Sequence, residues 1–233
     1  MSEAPAFPTS VVLGLWLNAA QVGSISQTDA TNALETITNR VHIRHELNWP
    51  DTEKSTWLDL VRQVVSMPLP VAVALPVDGD PAGVPQQVLL TAKRDCGVVA
   101  INGDLLLFQN LDSEWVLARV ENKVMHYDLN QTRRILTEQI AISTAQLAAS
   151  DLVGDEAEIV ESLDAFRSLH LPPHLSKRTT DSLETAAKIL LVARGAVSKS
   201  IAMHSPSIDR LRLTHLEELI AKSRTVLQSV VTS

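Results

Sequence analysis

Residues 78–83, DGDPAG, follow directly on the apolar run LPVAVALPV at 69–77. Position makes this loop a candidate ligand site. Open α/β sheets bind ligands beyond the carboxyl ends of their strands, and a helix N-terminus that follows attracts anions. Composition points away from phosphate: Asp78 and Asp80 would repel it, the loop holds no Lys or Arg, and neither GxGxxG nor GxxxxGK[ST] occurs in the chain. A cation, a sugar hydroxyl or an amine is the chemistry that Asp78, Gly79, Asp80 and Gly83 would serve. Two carboxylates fall short of the six or more oxygens that calcium takes. An Asp-Gly turn leading into a proline-started helix explains the same residues without a ligand, and is the plainer reading.

Two histidine pairs come next. His42, His45 and Glu46 in HIRHE would share a metal if they lay on one helical face, with Asp51 nearby. The order HxxHE is not the HExxH of zinc peptidases, and helix signals fade here, so structural or surface histidines are expected. His170 and His174 in HLPPH are held apart by two prolines and read as a helix connector. Nucleophile patterns are absent: there is no GxSxG and no SxxK. Lys93 and Arg94 beside Cys96 would favour its thiolate, but the expectation is a half-buried structural thiol. The acidic stretch 155–161 is explained by first-turn helix charge and solvation. No catalytic residue, metal site or cofactor is assigned, and the chain is read as leaning away from an enzyme.

The segment LPVAVALPVDGDPAG, together with LHLPPHLSKR further on, resembles an uncharacterised family of actinobacterial proteins with an LPVPGDP-like segment. The Pro of that pattern is Asp78 here. The resemblance implies no activity and no catalytic residues.

A chain of 233 residues, 45% apolar and 20% charged, is long enough for a large core. Aromatics are only 3%, so the core must be aliphatic and no stacking platform for bases is evident. The net charge of −7 opposes nucleic-acid and anionic-membrane binding. One cysteine permits no internal disulfide and fits a cytoplasmic location. VVLGLWLNAA (11–20) has the look of a signal-peptide core, but no Lys or Arg precedes Arg40 and the run is short of a membrane span. It is expected to form a buried amphipathic helix.

Charge is uneven along the chain: −6 over residues 138–176 but +4 over 177–233. Helices with complementary faces account for this. A sharper reading makes Lys188, Lys199, Arg210 and Arg212 contacts for a protein partner, with a homodimer as one form of it.

The expected elements are a helix from Thr9 or Ser10 to about Gly23, a second capped by Ser26, and a third over 52–67, with 42–51 irregular between them. A central strand over 69–77 should lie parallel to 97–101, joined through a short helix from Pro85 that ends at Lys93 and Arg94. Asn102-Gly103 marks a type I′ hairpin, and 114–120 adds a strand. Helices should fill 131–152 and 155–169. LPP (171–173) breaks the chain before a helix over 181–203, capped by Asp181 or Ser182, and a last one to about Thr232. The expected fold is α+β and mainly helical: three N-terminal helices, a small mixed sheet with a hairpin, and a C-terminal helical array, all within one domain over 1–233. The expected function is a non-enzymatic interaction or regulatory protein. The alternative is a small-molecule- or cation-binding protein or enzyme using the loop after 69–77.

Overall fold

A computed structural model describes residues 7–46, 54–77, 79–147, 160, 164, 166–200 and 208–233, with the side chains of residues 46, 94, 145–147, 198–200 and 208–211 outside the description. The fold is α+β, with one mixed six-stranded sheet among the described residues. Helices α1 (Thr9–Gln21) and α2 (Gln27–Thr38) lead to β1 (His42–Glu46), β2 (Ser55–Thr56) and α3 (Trp57–Val65). Then come β3 (Ala72–Ala74), the one-turn α4 (Gln86–Leu89), β4 (Val98–Ile101), β5 (Leu105–Gln109) and β6 (Trp115–Arg119). Three long helices follow: α5 (Leu129–Leu147), α6 (Lys177–Ser200) and α7 (Ile208–Val231).

Helix α1 is buried, as expected, but on nearly all sides rather than along one amphipathic face. Ser10 through Leu17 are all buried, as are Ala19 and Ala20. A helix apolar all round can only be an interior one. Gly14 shows how tightly it is enclosed: a Cβ there would stand 2.7 Å from Val231 Cγ1 and 2.8 Å from Val73 Cγ2. Pro8 takes the N-cap position without a side-chain bond, so neither Thr9 nor Ser10 caps this helix. The Asn18 amide makes three bonds to backbone. Its nitrogen donates to Val71 O at 2.8 Å and Val231 O at 2.6 Å, and its oxygen accepts from Val71 N at 2.8 Å. Gln21 Nε2 donates to Met67 O at 2.9 Å and Leu69 O at 2.8 Å, holding the chain just beyond α3.

The strand order is β2-β1-β6-β5-β4-β3. The Asn102-Gly103 hairpin forms as expected, with φ of 52° and 79° at its two turn residues. The strand at 69–77 does not. Only Ala72–Ala74 pairs, at the sheet edge, and antiparallel to β4. Pro68, Pro70 and Pro76 cannot donate to a ladder, and the amide of Val71 is taken by Asn18. The parallel arrangement also fails because residues 85–96 make no crossover helix. Beyond the single turn of α4 they lie across the sheet, where Val84, Val88 and Ala92 pack on Ala74, Val98 and Phe108. Lys93 and Arg94 therefore fall after the helix rather than in its last turn. This cover buries one face of the strands while α1, α3 and the C-terminal helices bury the other.

Residues 42–46, expected to be irregular, are a strand parallel to β6. The third helix is shorter than expected. Ser55 and Thr56 pair with β1, and Thr56 then caps α3 in a box with Asp59. Ser26 caps α2 as anticipated, accepting from Asp29 N at 3.0 Å. Helix α6 begins four residues before the expected Asp181/Ser182 cap, because Ser176 Oγ accepts from Thr179 N at 3.1 Å and does the capping first. Helices α5 and α7 match the anticipated helical array. Most of the helix expected over 155–169 lies outside the described residues; within it Phe166 is buried, with its ring 5.2 Å from that of Phe7.

Two substitutions test this core. Asn18→Ala, which strands three backbone groups, is expected to cost about 2–4 kcal/mol in urea unfolding. Gly14→Ala is expected to cost about 1–3 kcal/mol through overpacking against Val73 and Val231. In both variants and the parent, tryptophan fluorescence and far-UV circular dichroism should report one coincident transition, as a single domain requires.

Candidate functional site

The loop after β3 is a tight, internally bonded turn. Val77 and Asp80 exchange backbone hydrogen bonds at 3.0 and 3.1 Å, and Asp80 Oδ1 accepts from Ala82 N at 3.0 Å. Gly79 and Gly83 take φ of 82° and 79°, the left-handed region that glycine adopts at least cost. Gly83 is also pressed on the backbone of Lys123, whose N–H donates to Gly83 O at 3.1 Å, so no larger residue fits there. Asp78 lies outside the described residues. Beside the turn is an open hollow of ≈ 470 Å³, bordered by Val77, Gly79, Asp80, Gln86, Leu89 and Leu90.

The partner of this loop comes from the far end of the chain. Asp80 Oδ2 stands 3.7 Å from Nη2 of Arg224 on α7. The Arg224 side chain is 4% exposed while that of Asp80 is 63% exposed. Burial pulls the affinity of the Arg224 guanidinium for its proton below the usual value. Asp80 opposes that pull, Arg194 on α6 adds to it, and Tyr127, just ahead of α5, also opposes it. Arg194 is shifted the same way by its own burial, against the attraction of Asp95. The contact beside the turn is the pair Asp80–Arg224, and the charge of Arg224 is felt by groups on α6 and just ahead of α5.

Sequence reasoning missed Arg194 and Arg224, although a signal was present. Arg224 continues the line of Leu216 and Ile220 at steps of four, and Arg194 stands four after Leu190. An arginine at a core position of an apolar stripe is costly unless it meets an anion. The basic residues singled out instead are dispersed. Lys188 faces Glu184 at 3.6 Å on the surface of α6, and Arg212 is half-buried with no hydrogen-bond partner for its Nε. The side chains of Lys199 and Arg210 lie outside the description.

The histidine motifs separate on inspection. His42 and His45 sit on a strand, where residues three apart point to opposite faces. His45 Nε2 bonds Ser55 Oγ at 2.7 Å, and Arg44 pairs with Glu114 at 3.0 Å. Asp51 lies outside the described residues. His170 stacks on Trp16 at 5.6 Å between ring centres, and its carbonyl accepts from Trp16 Nε1 at 2.7 Å. With His174 it borders a shallow hollow of ≈ 770 Å³ beside α2. Among the described residues no group of three His, Cys, Asp or Glu is placed to hold a metal. Cys96 is half-buried, as expected, with Sγ donating to Gln109 Oε1 at 3.1 Å. Burial pushes its thiol up, outweighing the opposing effect of Lys93. The acidic stretch 155–161 falls outside the described residues except for Val160.

A family model described as Rv1486c-like protein, N-terminal domain, matches residues 10–107. The chain is similar to that uncharacterised family over this stretch, which includes the loop and ends inside β5. No curated protein and no solved structure matches the chain.

The raised Cys96 thiol has a pH consequence. Above 9.0, its ordinary value, the unfolded chain releases this proton before the folded one does, so stability falls as pH rises. Comparing urea midpoints at about pH 8 and about pH 10, Cys96→Ala should lose less stability than the parent. At neutral pH the parent thiol should react more slowly with a disulfide reagent when folded than when unfolded.

Proposed function

We propose that the chain is a non-enzymatic interaction or regulatory protein that engages a partner protein through its C-terminal helices. The observation that carries this reading is on α5. Ile135 and Ile142, seven residues apart and so on one helical face, are 37% and 50% exposed, although the inner face of the same helix packs on α7. Val192 on α6 is likewise exposed. Apolar side chains on a face left to solvent, with basic residues at Lys188, Lys199, Arg210 and Arg212 on the adjoining helices, suit a partner that offers an apolar groove edged with carboxylates. A second copy of the chain is one such partner. A cytoplasmic setting and an actinobacterial kinship belong to the same reading. They are supported by the single half-buried thiol and by the resemblance of residues 69–83, which lie inside the family match. No helix among the described residues is long and apolar enough to cross a membrane.

The test compares the parent with Ile135→Asp/Ile142→Asp and with charge reversal at Lys188, Lys199, Arg210 and Arg212. A protein recovered with the parent should be lost or reduced by at least about tenfold with each variant, at unchanged far-UV circular dichroism. An unchanged set of recovered proteins, with sedimentation showing a monomer, would sink the reading.

A second reading is favoured by the hollow of ≈ 470 Å³ beside the turn: a small-molecule-binding protein or enzyme that uses residues 79–83. Its cation-binding form is weakened by Arg224, which already stands against the Asp80 carboxylate. Thermal-shift screening against sugars, amines and metals should show a ligand that stabilises the parent but not Asp80→Ala; no shift with any of them removes this reading.

A further inference from the structure

Arg224 is the most unusual charged group in the described part of the molecule. A guanidinium keeps its proton under all ordinary conditions and carries five N–H donors. Taking it out of water is tolerated only when those donors and the charge are met. Here the Arg224 residue is 3% exposed, and its Nε has no hydrogen-bond partner. Its Nη2 has only the Asp80 carboxylate at 3.7 Å, too far for a hydrogen bond. Asp80 itself is largely in solvent, so the carboxylate that offsets the buried charge is both distant and screened.

The geometry points to a binding site for a small oxyanion, a phosphate or carboxylate group, on the Nε/Nη2 edge of Arg224. Nε and Nη2 lie on the same edge of the guanidinium, the fork that grips two oxygens of one oxyanion. On that edge Nε has no hydrogen-bond partner and Nη2 has only the distant Asp80 carboxylate. Arg194 is near enough for its positive charge to act on Arg224 and so adds to the attraction for an anion. Asp80 holds the place of the ligand from outside: an incoming oxyanion takes over Nη2 and releases the carboxylate to water. This goes beyond both readings above. It also inverts the chemistry expected of the loop, because Asp80 becomes the competitor of an anion rather than the anchor of a cation. The Asp95 carboxylate acts on Arg194 in the opposite sense to burial and offsets part of the Arg194 charge.

The experiment uses the whole chain, with calorimetry and thermal shift in inorganic phosphate and in acetate, against sodium chloride at matched ionic strength. Phosphate, acetate or both should bind and raise Tm, and whichever binds identifies the group that fits. Asp80→Asn removes the competitor at an exposed position. It should bind the oxyanion about tenfold more tightly than the parent, even though it folds no more stably without ligand. Arg224→Lys, which keeps the charge and loses the fork, should weaken binding by about tenfold or more. If neither anion binds parent or Asp80→Asn, the site does not exist. If Asp80→Asn binds no more tightly than the parent, the pair is only a structural contact and the proposal is overturned. Should Arg224→Lys fail to fold, the Asp80→Asn comparison decides alone.

Discussion

The side-chain amide of Asn18 sits where two distant parts of the chain would otherwise leave three backbone groups unpaired in a partly buried place. It meets both the N–H and the C=O of Val71, at the start of the edge strand, and the carbonyl of Val231, at the end of the last helix. An apolar residue here would leave those groups without their side-chain partner. The other packing follows from that junction. It sets α1 between the sheet and α7, lets Gln21 hold the chain beyond α3, and limits β3 to three residues.

With α1 so placed, one sheet face is covered by helices and the other by a chain segment with almost no regular structure. Residues 84–92 and 120–124 close that second face through Val84, Val88 and Ala92, with Val120 and Val124 partly buried at its margin. The strands can therefore be apolar on both sides, as a parallel sheet usually is, while running mostly antiparallel. The similarity to an uncharacterised family ends at residue 107, within β5. The matched stretch thus lacks β6 and α7, each of which supplies buried side chains to the same core.

Local chemistry was legible where it acts locally. Asn102-Gly103 specifies its turn through two positive φ values, and Ser26 caps α2 because its hydroxyl reaches Asp29 N. What the sequence concealed depends on distant partners. The run at 69–77 reads as a central strand by its valines, but its ladder is decided by three prolines and by Asn18, 53 residues away from Val71. HIRHE becomes a strand only because β6 lies alongside it. The loop at 78–83 was singled out for its position and its two aspartates, and nothing in its composition announced the arginine that stands against Asp80. That arginine, Arg224, is 144 residues further on, and only its place in an apolar stripe hinted that it turns inward.

The contact between Asn18 and Val231 spans 213 residues. During synthesis, α1 therefore leaves the ribosome long before the helix that shields it exists. For that interval the part of VVLGLWL that the last helix covers has only the earlier elements beside it, and apolar surface exposed in this way is prone to association. The many contacts between distant segments also predict slow closure compared with a helical bundle of similar size. The feature that makes the finished protein tight is thus the one that makes its birth hazardous, and the burden of guarding it falls on the cell rather than on the fold.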